Sequence, residues 1–118
     1  MKYALLIYGD EQSWAMFSPE EQAAEFQAYD SYSKWLVDQG WMRGGEALQS
    51  VATATKVQVR EGKTLATDGP FAETKEQLGG LYLIECDNLD QAIDAASRIP
   101  AAKGGTIEVR PIMEFPEA

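Results

Sequence analysis

Three observations predict an α+β fold of the ferredoxin-like type, with the order β-α-β-β-α-β and one extra β-hairpin. Two short runs, near residues 3–8 and 81–86, are uniformly apolar and suit buried strands. A helical pattern follows each of these runs, and a two-residue hairpin signal lies between the two halves. At 118 residues the chain has the size of one domain, so we treat 1–118 as a single unit.

The first helix has clear start and stop signals. Ser18 is a capping residue, Pro19 suits the first helical position, and Glu21 completes a capping box. Gly40 is a natural helix end, so the helix is about 20 residues long. Residues 10–17, between the first strand and this helix, are predicted to form a loop.

The middle of the chain predicts a short strand and a hairpin. A strand is expected near residues 46–48, after a pair of glycines. Alternation over 53–60 predicts the first arm of the hairpin, Glu61-Gly62 its turn, and 63–67 the returning arm. The polar segment 72–78 is interpreted as a connection to the second apolar run.

The last third of the chain predicts a helix and a final strand. Asn88 or Asp87 caps the helix, and Pro100 ends it. Alternation then predicts a strand over 106–111. The apolar stripe of the helix consists of Leu89, Ala92, Ile93 and Ala96.

The two uniformly apolar runs also predict a dimer. In a ferredoxin-like sheet the first and third core strands lie at the centre, and helices cover only one face. Apolar residues on both faces of these strands require a cover for the second face. Since no chain is left to provide it, a second copy is the simplest cover, giving a two-fold homodimer with facing sheets.

Composition excludes several functional classes. The net charge of −9 opposes direct binding to nucleic acid. With no histidine and a single cysteine, Cys86, one chain cannot build an ordinary zinc or copper site, and we expect no metal or other cofactor. No apolar run is long enough to cross a membrane. A lone thiol fits a reducing compartment, so we expect a cytoplasmic protein.

One segment resembles a known family. The string DGPFAETKEQLGG at Asp68–Gly80 resembles the DGPF-domain proteins of the YCII-related family. Segments 2–11, 44–48 and 105–111 agree with the same pattern. The resemblance implies a dimeric α+β barrel, often encoded beside extracytoplasmic-function sigma factors. Some relatives are suspected of enzymatic activity through a His-Asp pair, which this histidine-free chain cannot have.

The DGPF string itself has two interpretations. Asp68 and Phe71 would place a carboxylate and an aromatic ring at the mouth of a ligand pocket. Alternatively, Asp68 caps a tight turn in which Pro70 fixes the backbone and Phe71 fills the core.

A second set of candidate residues lies on strands. Arg110 alternates with apolar neighbours on the last strand and suits an anionic ligand. It would equally serve as a structural bridge to Glu46 or Asp68. Tyr8, at the end of the first strand, would line a cleft.

These residues support two functional hypotheses. The first is a homodimeric binding or regulatory module, with a small-molecule ligand or a protein partner such as a sigma factor. The alternative is a small enzyme acting on an anionic organic molecule, with Arg110 as the anion contact and Asp68 or Glu46 for proton transfer.

Overall fold

A four-stranded antiparallel sheet, a separate two-stranded hairpin and three helices make up residues 1–116, the part of the chain that this computed structural model describes. The strands are β1 (Lys2–Gly9), β2 (Met42–Ala47), β3 (Thr55–Arg60), β4 (Lys63–Asp68), β5 (Gln77–Glu85) and β6 (Thr106–Pro111). The helices are α1 (Glu11–Ala15), α2 (Pro19–Gln39) and α3 (Leu89–Ser97), with 3-10 turns at Val51–Thr53 and Pro100–Lys103.

The strand order of the sheet is β2-β5-β1-β6, with every neighbouring pair antiparallel. This is the order that a β-α-β-β-α-β ferredoxin-like chain produces, so the predicted fold class is confirmed. The two uniformly apolar runs are the central strands β1 and β5, as predicted. Strands β3 and β4 form the extra hairpin outside this sheet.

Local signals set the bounds of α2 as predicted. The Ser18 hydroxyl accepts a hydrogen bond from the Glu21 amide at 3.1 Å, and the Glu21 carboxylate accepts one from the Ser18 amide at 3.0 Å. Gly40 ends the helix with a φ of 76°, in the left-handed region that favours glycine. The capping box and the glycine stop are therefore both confirmed.

Three boundaries differ from the sequence prediction. Residues 11–15 form a short helix, because the Asp10 side chain accepts a hydrogen bond from the Gln12 amide and caps it. β2 starts at Met42 and β5 at Gln77, so both strands begin earlier than predicted and run through the glycine pairs that were expected to precede them. A Cβ at Gly80 would lie 2.9 Å from the Glu46 carbonyl oxygen, so the close approach of β2 and β5 requires glycine there.

The core lies between the sheet and the helices α2 and α3. Leu5 and Leu36 are fully buried, and the Tyr32 hydroxyl donates a 2.7 Å hydrogen bond to the Ala95 carbonyl oxygen. Phe26 of α2 lies outside this core and is 64% exposed. The buried core residues are Tyr3, Leu5, Tyr32, Leu36, Tyr82, Ile84, Cys86, Ala92, Ala95, Ala96 and Ile99. Within residues 1–116 no helix is both long and apolar enough to cross a bilayer.

Two core tyrosines make stability sensitive to alkaline pH. Burial and the nearby Glu25 raise the pKa of Tyr29 to about 12, and burial also raises the pKa of Tyr32. Because unfolded tyrosines ionise near pH 10, the unfolded state loses protons first, and stability falls as the pH rises from there. We expect the melting temperature to drop between about pH 10 and 12. Tyr32→Phe should flatten that drop in thermal melts; an unchanged pH dependence would contradict this assignment.

The molecule is flat and has a large surface for its mass. Its principal extents are 50 × 48 × 18 Å and its radius of gyration is 16.5 Å, against about 13.5 Å for a compact chain of this length. The accessible surface of 8573 Å² exceeds the roughly 6,300 Å² of a typical monomer of this mass. Much of the excess comes from the hairpin of β3 and β4, here called the arm (55–68), almost all of which is exposed.

Candidate functional site

One face of the sheet has no helix packed on it, and we call it the helix-free face. It is built from alternate residues of the four strands, since neighbouring side chains of a strand point to opposite faces. Its members are Ala4, Leu6 and Tyr8 from β1, Leu78, Leu81 and Leu83 from β5, Gly44 and Glu46 from β2, and Thr106, Glu108 and Arg110 from β6.

The pairing register gives this face an apolar centre and polar edges. Leu6 lies opposite Leu81, and Ala4 lies opposite Leu83, in the two central strands. These side chains are partly exposed and do not belong to the core under the helices. An uncovered apolar surface with a polar border is typical of a binding or association surface.

Arg110 lies at the β6 edge of the helix-free face and is held by Glu108. Its Nη2 donates a hydrogen bond to Glu108 Oε1 at 2.8 Å, while the side chain remains 64% exposed. The hydrogen bond and charge of Glu108 raise the pKa of Arg110, with a smaller contribution from Tyr8 on the neighbouring strand. Arg110 thus forms its salt bridge with Glu108, two residues away in the chain, and not with Glu46 or Asp68, the partners that the sequence suggested.

Glu46 lies on the helix-free face but at its opposite edge. It is level with Leu81, Leu6 and Glu108 across the sheet. Three strand spacings, about 14 Å, therefore separate the backbones of Glu46 and Glu108. Within one chain, Glu46 and Arg110 do not form a single site.

The DGPF segment lies at the base of the arm, outside the four-stranded sheet. Asp68 ends β4 and is exposed, and the Gly69 amide donates a 2.8 Å hydrogen bond to the Ala54 carbonyl oxygen at the base of the arm. Phe71 is 85% exposed, so the interpretation that it fills the core is wrong. The segment closes the arm and leaves an aromatic ring in solvent. Asp68 and Phe71 are therefore exposed residues outside the sheet that bears Tyr8 and Arg110.

Glu11 is an organising residue that the sequence prediction missed. Its carboxylate accepts 2.9 Å hydrogen bonds from the Val51 amide and the Ser50 hydroxyl, and its own amide donates to Gln77 Oε1 at 3.1 Å. It thereby ties the start of α1 to β5 and to the base of the arm. A cleft of about 270 Å³ at this junction is lined by Glu11 and its neighbours, among them Val51, Lys75 and Gln77. The Glu11 carboxylate itself is engaged in the hydrogen bonds that hold the junction.

The remaining reactive groups form no second site. Cys86 is buried in the core, and burial raises the pKa of its thiol, which favours the unreactive protonated form. Within the described 1–116, no group of three or more acidic or cysteine side chains is arranged to hold a metal ion. The helix-free face is therefore the surface on which a function can be argued.

Comparison with known proteins gives two likenesses that span almost the entire chain. A family model described as the YCII-related domain matches residues 1–116. A protein of Rhizobium meliloti (strain 1021), described as uncharacterised, is 38% identical over 114 residues, which cover 95% of this chain and 92% of that protein. Both likenesses include the sheet, the arm and the DGPF segment.

Proposed function

The chain belongs to the YCII-related family, and from that premise we propose that it is a cytoplasmic homodimer that binds a small anionic organic molecule between two facing sheets. In this proposal the helix-free faces of the two copies pack together. Their apolar centres exclude water, and their polar edges provide the ligand contacts.

The apolar centre of the helix-free face is the main observation that supports the proposed dimer. Leu6, Leu81 and Leu83 are aliphatic side chains that a lone sheet leaves partly in water. Each gains roughly 25 cal/mol for every Å² of apolar surface that a second sheet removes from water. The chain also exceeds the surface of a typical monomer by roughly 2,200 Å², while partners in obligate homodimers bury about 1,000–2,500 Å² each.

Arg110 and Tyr8 support an anionic ligand. Glu108 occupies one donor of the Arg110 guanidinium, which has five N–H groups in a planar fork suited to carboxylate or phosphate. Tyr8 lies on the same face, level with Thr106 and therefore about 13 Å along the strand from Arg110. Facing sheets would exclude water around Arg110, which strengthens a charge-assisted hydrogen bond to a ligand.

The same geometry favours binding over catalysis. The enzymatic alternative needs Asp68 or Glu46 to transfer a proton near Arg110. Glu46 lies at the far edge of the sheet, and Asp68 lies at the base of the arm. A general acid or base must come within hydrogen-bond reach of the reacting group, and within one chain Glu46 does not meet that condition beside Arg110.

Native mass spectrometry of the protein purified gently from its host tests this proposal. We expect a dimer that carries an additional small mass, and Arg110→Gln should lose that mass while remaining dimeric. Lys34→Gln is the matched control, because it removes one positive charge from the exposed surface of α2, where Lys34 pairs with Asp30. A dimer without added mass in the native protein would contradict the ligand proposal.

An aromatic patch favours one second candidate, a regulatory module that binds a basic protein segment such as part of a sigma factor. Trp14 packs against Phe17 and Phe26 with ring centroids 5.4 and 5.5 Å apart. The acidic residues Glu20 and Glu21 lie beside the patch in the first turn of α2. In the same experiment this candidate predicts a second protein in the complex, lost with Phe26→Ser.

A further inference from the structure

The arm turns its apolar side chains toward solvent. Val57 and Val59 lie on one side of the hairpin and are 61% and 59% exposed, whereas Lys56 and Gln58 on the other side are less exposed. Ala66 and Thr64 lie opposite the two valines, so this side of the arm carries little polarity. The pattern is the reverse of a hairpin that packs on its own domain.

The arm also lacks internal support. It is a two-stranded ribbon about 20 Å long, linked to the rest of the chain mainly at its base, where Gly69 bonds to Ala54 and Glu11 holds Val51. An isolated two-stranded hairpin is at best marginally stable in water, and a further strand or a packing surface is needed to hold it. The valine side therefore requires a cover from outside the chain.

We infer that the arm clasps a second copy of this chain, burying Val57 and Val59 against the partner at the margin of the facing sheets. This inference rests on the proposed homodimer and specifies how that dimer is held and closed.

The area of the sheet argues for a second copy as the occupant. Four strands of about six residues span a planar area of roughly 400 Å², whereas each partner in a standard interface buries about 800 Å² of accessible surface. Facing sheets alone thus form a small interface for a stable dimer. An arm that projects beyond the sheet on each chain supplies the missing area twice over, by symmetry.

The test compares two double variants of the arm. Val57→Asp/Val59→Asp places charges on the apolar side, and we expect at least a tenfold weaker dimer in a dilution series followed by analytical ultracentrifugation. Lys56→Gln/Gln58→Asp is the control on the other side of the same hairpin with the same change in net charge, and its dimer affinity should change much less. A dimer mixed from isotope-labelled and unlabelled chains should show nuclear Overhauser contacts between chains at the Val57 and Val59 methyl groups.

Each other outcome overturns the inference in a distinguishable way. If the valine variant dimerises as tightly as the wild type, the arm makes no contribution, and the sheet-to-sheet dimer stands alone. Methyl contacts within one chain only would place the arm on its own sheet. If the valine methyl groups show no contacts within one chain or between chains, the arm does not bind a second copy, and a different protein would be its partner. A wild-type protein that is monomeric at every concentration would overturn the arm and the proposed dimer together.

Discussion

Leu6→Arg is expected to leave the protein folded but monomeric. Leu6 lies at the centre of the helix-free face, opposite Leu81, and does not belong to the core under the helices. In a single chain an arginine there extends into water. In the facing-sheet dimer it would bury a charge near its symmetry mate, which costs several kcal/mol when no partner is provided. We expect a dimer dissociation constant at least a hundredfold higher, since about 1.4 kcal/mol corresponds to each factor of ten.

Sedimentation, which measures the dimer mass, and circular dichroism, which measures the helical signal, together test this prediction. Val37→Arg is the matched control: it exchanges an aliphatic side chain for the same cation on the outer surface of α2, where Val37 is 61% exposed. That variant should dimerise like the wild type. If Leu6→Arg keeps both the helical signal and the wild-type dimer mass, the helix-free face is not the interface. If it loses the helical signal, Leu83→Arg on the same face repeats the test.

The topology could be predicted from the sequence because its signals are local. The capping box at Ser18 and Glu21, the stop at Gly40 and the turn at Glu61-Gly62 each fix a boundary through contacts a few residues apart. Apolar runs then identified the central strands. The failures came where distant backbone segments meet: β2 and β5 extend through glycine pairs because each strand allows the other to approach closely.

The candidate site was only partly predictable for the same reason. Arg110 and Glu108 lie on one face of β6, as alternation along a strand requires. The distance of Glu46 from that pair depends on the order of strands across the sheet, which no local pattern specifies. Phe71 is a large apolar residue of the kind usually found in a core. It is exposed because it follows the arm, at a point where no other element packs on it closely.

The role of Glu11 could not be predicted from the sequence, because its hydrogen-bond partners are distant in the chain. A glutamate just after a strand and a capping aspartate is expected to be a solvated charge. Its carboxylate instead binds Ser50 and Val51, about forty positions away in sequence. The Glu11 side chain thus joins the base of the arm to the end of β1. These hydrogen bonds help to fix the orientation of the arm relative to the sheet that bears Tyr8 and Arg110.

The largest loss of stability from a single methyl group is expected for Gly105→Ala. A Cβ at Gly105 would overlap the carbonyl oxygen of Tyr8 and lie 3.2 Å from that of Ala101. Both obstacles are backbone atoms, so no side-chain rotation relieves them. Overpacking of this kind typically costs about 1–3 kcal/mol, and occasionally more. We expect a loss of about 3 kcal/mol in the free energy of unfolding, since the strain falls on the β1–β6 pairing.

Gly104→Ala is the matched control for this prediction. No heavy atom lies within 4 Å of a Cβ at Gly104, and its φ of −115° suits any residue. Its effect should stay within about 0.5 kcal/mol. Urea denaturation of both variants at one protein concentration measures the difference, because dimerisation makes stability concentration-dependent. Equal denaturation midpoints would mean that the backbones of β1 and β6 move apart to accommodate the added methyl group. The pairing of Tyr8 with Thr106 and of Ala4 with Arg110 would then be less rigid than the structure indicates.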